Sequence, residues 1–226
     1  MRILAALFLT VLAVLPASAQ IASSETEWRA YGGLHAAAAR GDLLEIEKRI
    51  ASGENKEAID ARHRTPLHVA AFLKRHDAAR ALIRLGADPN KLEIDRYDII
   101  TIASVANDVP MLRIALEGGG NPAAVTSVYD GTALIAAAHL GHAEIVRTLI
   151  AAKAPLDHVN NLQWTALIES IVLGDGGRNH VETLRALVDA GANVNIPDGN
   201  GSTPLGLARN RGYPEMVAIL EKSGAK

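Results

Sequence analysis

The sequence predicts an all-α solenoid made of about six copies of one helix-turn-helix unit. Three observations predict it. The stretch TPLHVAA, Thr65–Ala71, has partial copies on both sides, beginning at Gly32, Asp98, Thr132, Thr165 and Thr203. The successive intervals are 33, 33, 34, 33 and 38 residues, and self-similarity at such a period marks a stacked array. The chain is also 49% apolar but only 4% aromatic, with mostly Ala, Leu, Ile and Val supplying the apolar part. That mixture favours close-packed helices over a β-sandwich. Within the copies, finally, apolar residues recur at helical spacing.

The residues before the array read differently. Met1-Arg2 supplies one positive charge, Ile3 to Leu15 is apolar apart from Thr10, and Pro16 is followed by Ala17-Ser18-Ala19. This is the three-part pattern of a secretory signal peptide, 1–19, with the cut expected before Gln20. The run is shorter than the ~20 apolar residues of a spanning helix, so no membrane insertion is expected after cleavage. The chain has no cysteine. Disulfides, thiolate metal sites, a cysteine nucleophile and a lipid-modified cysteine are thereby excluded. A leader without cysteine suits a bacterial periplasmic protein that holds together by packing alone. The formal charge of −2 gives no electrostatic argument for nucleic acid as partner.

Residues 20–226 then form one repeat domain. Ser24-Glu25-Thr26-Glu27 reads as a capping box that opens a helix carrying Trp28 and Tyr31, an N-terminal cap for the stack. The fourth copy shows the logic of the unit. Thr132 caps a first helix, and its Ala137 and Ala138 permit close approach of neighbours. Gly141 supplies a left-handed stop, and Ile145, Val146, Leu149 and Ile150 form the apolar face of a second helix. Copies close on Gly86-Ala87-Asp88-Pro89-Asn90 or Gly191-Ala192-Asn193-Val194-Asn195, in which Gly ends the helix and Asp or Asn turns the chain. At the far end Met216, Val217, Ile219 and Leu220 face inward.

The openings GGLHAAA, TPLHVAA, DIITIAS, TALIAAA, TALIESI and TPLGLAR, with the period and the Gly-Ala-Asp/Asn closing turns, resemble the ankyrin repeat over nearly all of residues 20–226. Combined with the leader, the chain resembles exported, periplasmic bacterial ankyrin-repeat proteins. The resemblance implies a solenoid of two antiparallel helices per copy with β-turn fingers between copies. It further implies that His35 and His68 bond across adjacent copies, and that a partner protein binds a concave face of finger tips and first helices.

Several positions depart from the pattern. Lys74 and Asn107 stand where sibling copies carry Gly. Asn tolerates the left-handed backbone, and Lys is expected to cost about 1 kcal/mol there. The third copy has Asp98-Ile99-Ile100-Thr101 in place of the Thr-Pro pair and the His, with Pro110 expected in the first turn of its second helix. It is expected to be the least regular internal copy. The fifth carries an insertion, Asp175 to Asn179, read as a surface loop.

No constellation points to bond chemistry. His139, His142 and His180 lie at helix-helix turns and do not supply converging metal ligands. Asp198-Gly199-Asn200-Gly201 lacks the Gly and Glu of a calcium loop, and Ser223-Gly224-Ala225-Lys226 stands without the supporting motifs of a serine acyl enzyme. The expectation is a monomeric, non-catalytic binding protein with no cofactor and no metal. It would be periplasmic, or secreted, and accessory to a partner protein of unknown identity. The alternatives are a secreted effector acting on a host protein, and a hydrolase or metal binder on a repeat scaffold. The candidate binding residues are Arg62 and Arg64 of the first finger, Arg96 and Tyr97 of the second, Tyr129 of the third, and Asn161, Gln163 and Trp164 of the fourth. Tyr97, Tyr129 and Trp164 are expected to line one side of the stack as interface anchors or to pack on neighbouring fingers.

Overall fold

The computed structural model describes residues 25–226; the leader reading falls outside the described residues. A five-residue helix, α1 (Glu25–Arg29), comes first, and Tyr31 lies beyond its end. Six helix pairs follow: α2 (Gly33–Arg40) with α3 (Leu43–Ala51), α4 (Pro66–Phe72) with α5 (His76–Arg84), and α6 (Ile99–Val105) with α7 (Val109–Glu117). A two-stranded antiparallel ribbon, β1 (Val125–Thr126) and β2 (Gly131–Thr132), comes next, pairing Val125 with Thr132 and Thr126 with Gly131. The array ends with α8 (Ala133–His139) and α9 (Ala143–Ala151), α10 (Ala166–Val172) and α11 (Arg178–Asp189), and α12 (Pro204–Arg211) and α13 (Pro214–Lys222). Among the described residues no helix is long and apolar enough to cross a membrane.

The first helices of successive copies pack on one another, as do the second helices, which gives two layers. Their ends follow from local chemistry. Thr65, Asp98, Thr132, Thr165 and Thr203 each accept the N–H three residues on, as N-caps do. Gly41 and Gly212 close the first and last first-layer helices in the left-handed region, and Lys74, Asn107 and Gly141 occupy it at the same place in the second, third and fourth copies. Small residues let the first layer close up: Ala37, Ala70, Ala103, Ala137, Ser170 and Ala208 are all buried in one column. Beside them Leu34, Leu67, Ile100, Leu134, Leu167 and Leu205 form a continuous apolar spine. No copy closes this core alone, so each stabilises its neighbours.

The third copy is regular, contrary to expectation. Helices α6 and α7 have the same lengths as α4 and α5. Asp98 and Asp108 cap them, Pro110 lies in the first turn of α7, and Thr101 Oγ1 bonds Thr126 Oγ1 (2.8 Å) where a His would bridge. The insertion is likewise built in. It adds a turn at the start of α11, and Tyr213 donates to the Gly174 carbonyl (2.9 Å). The Tyr213 ring lies so close to Gly176 that a β-carbon there would collide with it.

The expected His bridges are present. His35 Nε2 reaches the Arg64 carbonyl (2.9 Å), and His68 Nε2 the carbonyls of Lys91 (3.0 Å) and Tyr97 (3.3 Å). A second ladder was not foreseen. Arg75, His142, His180 and Tyr213, near the start of the second helices of the second, fourth, fifth and sixth copies, each bond a carbonyl near the end of the preceding copy's first helix.

Candidate functional site

The fingers are tight turns, each organised by one polar side chain. Asp60 Oδ1 accepts the N–H groups of Arg62 and Arg64 (both 2.8 Å), and Glu93 Oε1 those of Asp95 (2.9 Å) and Tyr97 (3.2 Å). Ser127 Oγ accepts Tyr129 and Gly131, Asn160 Oδ1 accepts Leu162 and Trp164, and Asp198 Oδ1 accepts Asn200 and Ser202. The turn is completed by a left-handed residue: His63, Arg96, Asp130, Gln163 or Gly201. Backbone bonds lace the fingers together, from Ile94 N to Arg62 O, Ser127 N to Arg96 O and Asn161 N to Tyr129 O, each 3.0–3.1 Å.

This register fixes where the candidate residues point. Arg64, Tyr97, Gly131, Trp164 and Ser202 share the stem position directly before the N-cap. Tyr129 shares the tip position with Arg62, Asp95, Leu162 and Asn200. The expected row of three aromatics is therefore corrected. Tyr97 and Trp164 are half-buried stem residues two fingers apart, and Tyr129 stands at a tip, 52% exposed. Burial pushes the Tyr97 hydroxyl above the ordinary tyrosine range. Counting back one residue from each N-cap would have separated the two classes.

Arg64 is also corrected: it is 2% exposed and presents no tip surface. Its guanidinium lies 4.8 Å from the Phe72 ring and 5.4 Å from the Trp28 ring, and Nη1 is 3.8 Å from Glu27 Oε1. Arg62 is half-buried, its Nε 3.4 Å from the same carboxylate oxygen. Arg96 is exposed and pairs loosely with Asp130 (3.5 Å). Asn161 is exposed but spends its amide on the Val128 carbonyl (3.2 Å), and Gln163 is exposed at a left-handed position. Burial alone would raise the Asp60 carboxyl, but hydrogen bonds from Tyr31 Oη (2.5 Å) and the N–H groups of Arg64 and Arg62 hold it below the usual aspartate value.

Two features were missed. Among the described residues, eleven large apolar side chains are exposed, and eight belong to the fingers. They are Ile59 on the first finger, Leu92 and Ile94 on the second, Val125, Val128 and Tyr129 on the third, and Val159 and Leu162 on the fourth. Ile94 is 53% and Val128 59% exposed. Exposed apolar residues scattered singly need no explanation, but here they recur on four adjacent fingers. The sequence does carry this signal, in the apolar residues that flank each turn. The second feature is Glu169, buried in α10 where sibling copies place Ala36, Val69, Ile102, Ala136 or Leu207. Asn160 Nδ2 donates to its Oε1 (3.1 Å), and His139 Nδ1 lies 3.4 Å from its Oε2. The carboxylate thus braces the side chain that shapes the fourth finger.

Comparison with known proteins agrees with this architecture. A family model for three ankyrin repeats matches residues 99–198, and one for a single ankyrin repeat matches residues 62–93. The chain is 33% identical over 190 residues to the ankyrin repeat protein YahD of Escherichia coli (strain K12), which covers 84% of this chain and 94% of that protein. An ankyrin repeat domain from Acinetobacter baumannii AYE superposes with a TM-score of 0.82 at 42% identity, covering 85% of this chain and 98% of that one. The ankyrin repeat domain of Bcl-3, of the IkappaB family, gives 0.77 at 26% identity over 87% of this chain and 88% of that one. The chain belongs to the ankyrin-repeat family. Repeats of this family are in general protein-protein interaction modules, and the scaffold is one that typically binds without catalysing.

Proposed function

We propose that this chain is an exported ankyrin scaffold that binds a partner protein through the apolar stripe on its fingers and acts as an accessory to that partner in the bacterial periplasm. The recurrence of exposed apolar residues on four adjacent fingers, from Ile59 to Leu162, carries the reading. Such a patch is costly to leave in water, and a rigid, hydrogen-bonded finger loses little order when it is covered. The leader-like residues 1–19 and the lack of cysteine support export to a periplasm.

The test is cross-linking in the native compartment, comparing wild type with the double variant Val128→Asp, Leu162→Asp. Both side chains are exposed, so the variant should keep its melting temperature within a few degrees while capture of the partner falls at least tenfold. Undiminished capture by a folded variant would move the site elsewhere. Fractionation should recover the protein with periplasmic markers; recovery from the medium would favour a secreted effector.

A further inference from the structure

The short helix α1 packs on α2 at the end of the stack, where Leu34, Ala36, Ala37, Ala38 and Ala39 are buried. At that end the first residues of α3 stay uncovered, with Leu44 80% exposed. Helix α1 also reaches past the first copy to the second. Trp28 lies 6.3 Å from the Phe72 ring at the end of α4, and the two neighbouring rings sit 5.4 and 4.8 Å from the Arg64 guanidinium. Glu27 approaches both Arg62 and Arg64, and Tyr31 Oη donates to Asp60. The residues on which α1 rests therefore belong to the first finger and the helix after it, the corner through which a partner would be read.

The chemistry of this corner is specific. Among the stem positions, Tyr97 and Trp164 carry their own aromatic ring. The first finger has a cation there, and α1 brings the ring that stacks on it. A Trp face over a guanidinium flanked by a carboxylate is a paired recognition: the ring takes the flat face and the carboxylate takes the charge. The helix that supplies both is five residues long, well below the ~12–15 residues at which an isolated helix becomes marginal in water, so it is held by these contacts and not by its own hydrogen bonds.

We infer that the corner formed by Arg62, Arg64 and Phe72 is a recognition site for a short peptide segment in which an acidic residue directly precedes an aromatic one, and that Glu27-Trp28 occupies it as an internal ligand. An outside segment of that kind competes with α1. Its apparent affinity is reduced by the fraction of molecules in which the corner is open. This site is separate from the apolar stripe, and either can fail without the other.

The test uses the full chain and a fluorophore-labelled synthetic peptide with the sequence of residues 24–31. The double variant Glu27→Ala, Trp28→Ala should bind the peptide saturably and at least tenfold more tightly than wild type. Adding Arg62→Ala should weaken that binding several-fold. Equal binding to wild type and variant, or none to a variant shown folded by circular dichroism, overturns the inference. A second measurement covers a variant that fails to fold. In Trp164→Phe, Trp28 is the only tryptophan and should be shielded from acrylamide. An unlabelled peptide with Phe in place of its Trp should raise quenching at least twofold as it displaces α1, and unchanged quenching at saturating peptide overturns the proposal.

Discussion

His68 serves its own helix and the neighbouring copy with one ring. Nδ1 accepts the Thr65 N–H (3.1 Å) at the start of α4, while Nε2–H donates to the carbonyls of Lys91 and Tyr97. The bond at Nδ1 needs the neutral ring, because a proton there would point a donor at the Thr65 N–H. Burial disfavours the imidazolium and lowers the pKa from 6.5 to about 4. The folded value lies below the unfolded one, so unfolded chains take up a proton that folded chains refuse. The contribution to stability is complete above pH 6.5, falls as pH drops towards 4, and changes no further below that. Its ceiling is roughly 3 kcal/mol at about 1.4 kcal/mol per pKa unit. The fourth and fifth copies carry Ile135 and Ile168 at this position. His68→Ile should therefore lower stability at pH 7.5 yet flatten the decline towards pH 5, read as urea midpoints at the two values. An equal decline in both proteins would show that the ring does not govern the acid limb.

At the scale of the element, the end of α4 is where the chain pays for an L-residue with a side chain in a place suited to glycine. Lys74 has φ 53°, whereas Gly41, Gly141 and Gly212 sit at 68–72° in the matching turns. The left-handed conformation costs a residue with a β-carbon about 1 kcal/mol. One weak return is a hydrogen bond from Lys74 Nζ to the Ala106 carbonyl (3.3 Å) on the exposed surface. Lys74→Gly should raise stability by roughly 0.5–1 kcal/mol, seen as a higher urea midpoint with an unchanged slope. A lower midpoint would mean that the bridge to Ala106 outweighs the strain. Local features of this kind were legible: the Thr caps, the Gly stops and the Lys and Asn departures follow from residue type and spacing, and the His bridges from the resemblance to the ankyrin repeat. The regularity of the third copy was not, because it rests on Thr101 meeting Thr126 across 25 residues. Nor was the burial of Arg64, which depends on where α1 lands, or the bracing of Asn160 by Glu169. A repeat pattern says which residues are equivalent; it does not say which of them a neighbouring copy or a terminal helix will cover.

The whole molecule is a chain of nearest-neighbour interfaces, so its stability is distributed and not held by one central core. Each internal copy is supported on both sides by the alanine column and the apolar spine, whereas the first and last are supported on one side. Opening should therefore begin at the ends and propagate inwards. Helix α1 stands outside this order, because beyond its packing on α2 its side chains hold to Arg62, Arg64 and Phe72. Native-state hydrogen exchange should resolve three levels. Amides of α1 should exchange first by local detachment, with little dependence on denaturant. The second helices at the two ends, α3 and α13, should follow by sub-global opening. The N–H groups of α6, α8 and α10 should exchange last, at the free energy of global unfolding. Glu27→Ala should speed exchange in α1 alone if its ion pairs hold only that helix. If α1 instead exchanged together with α8, it would be a cooperative part of the array. The detachment that lets an outside segment reach the first finger would then require global unfolding, and the first finger would be permanently closed.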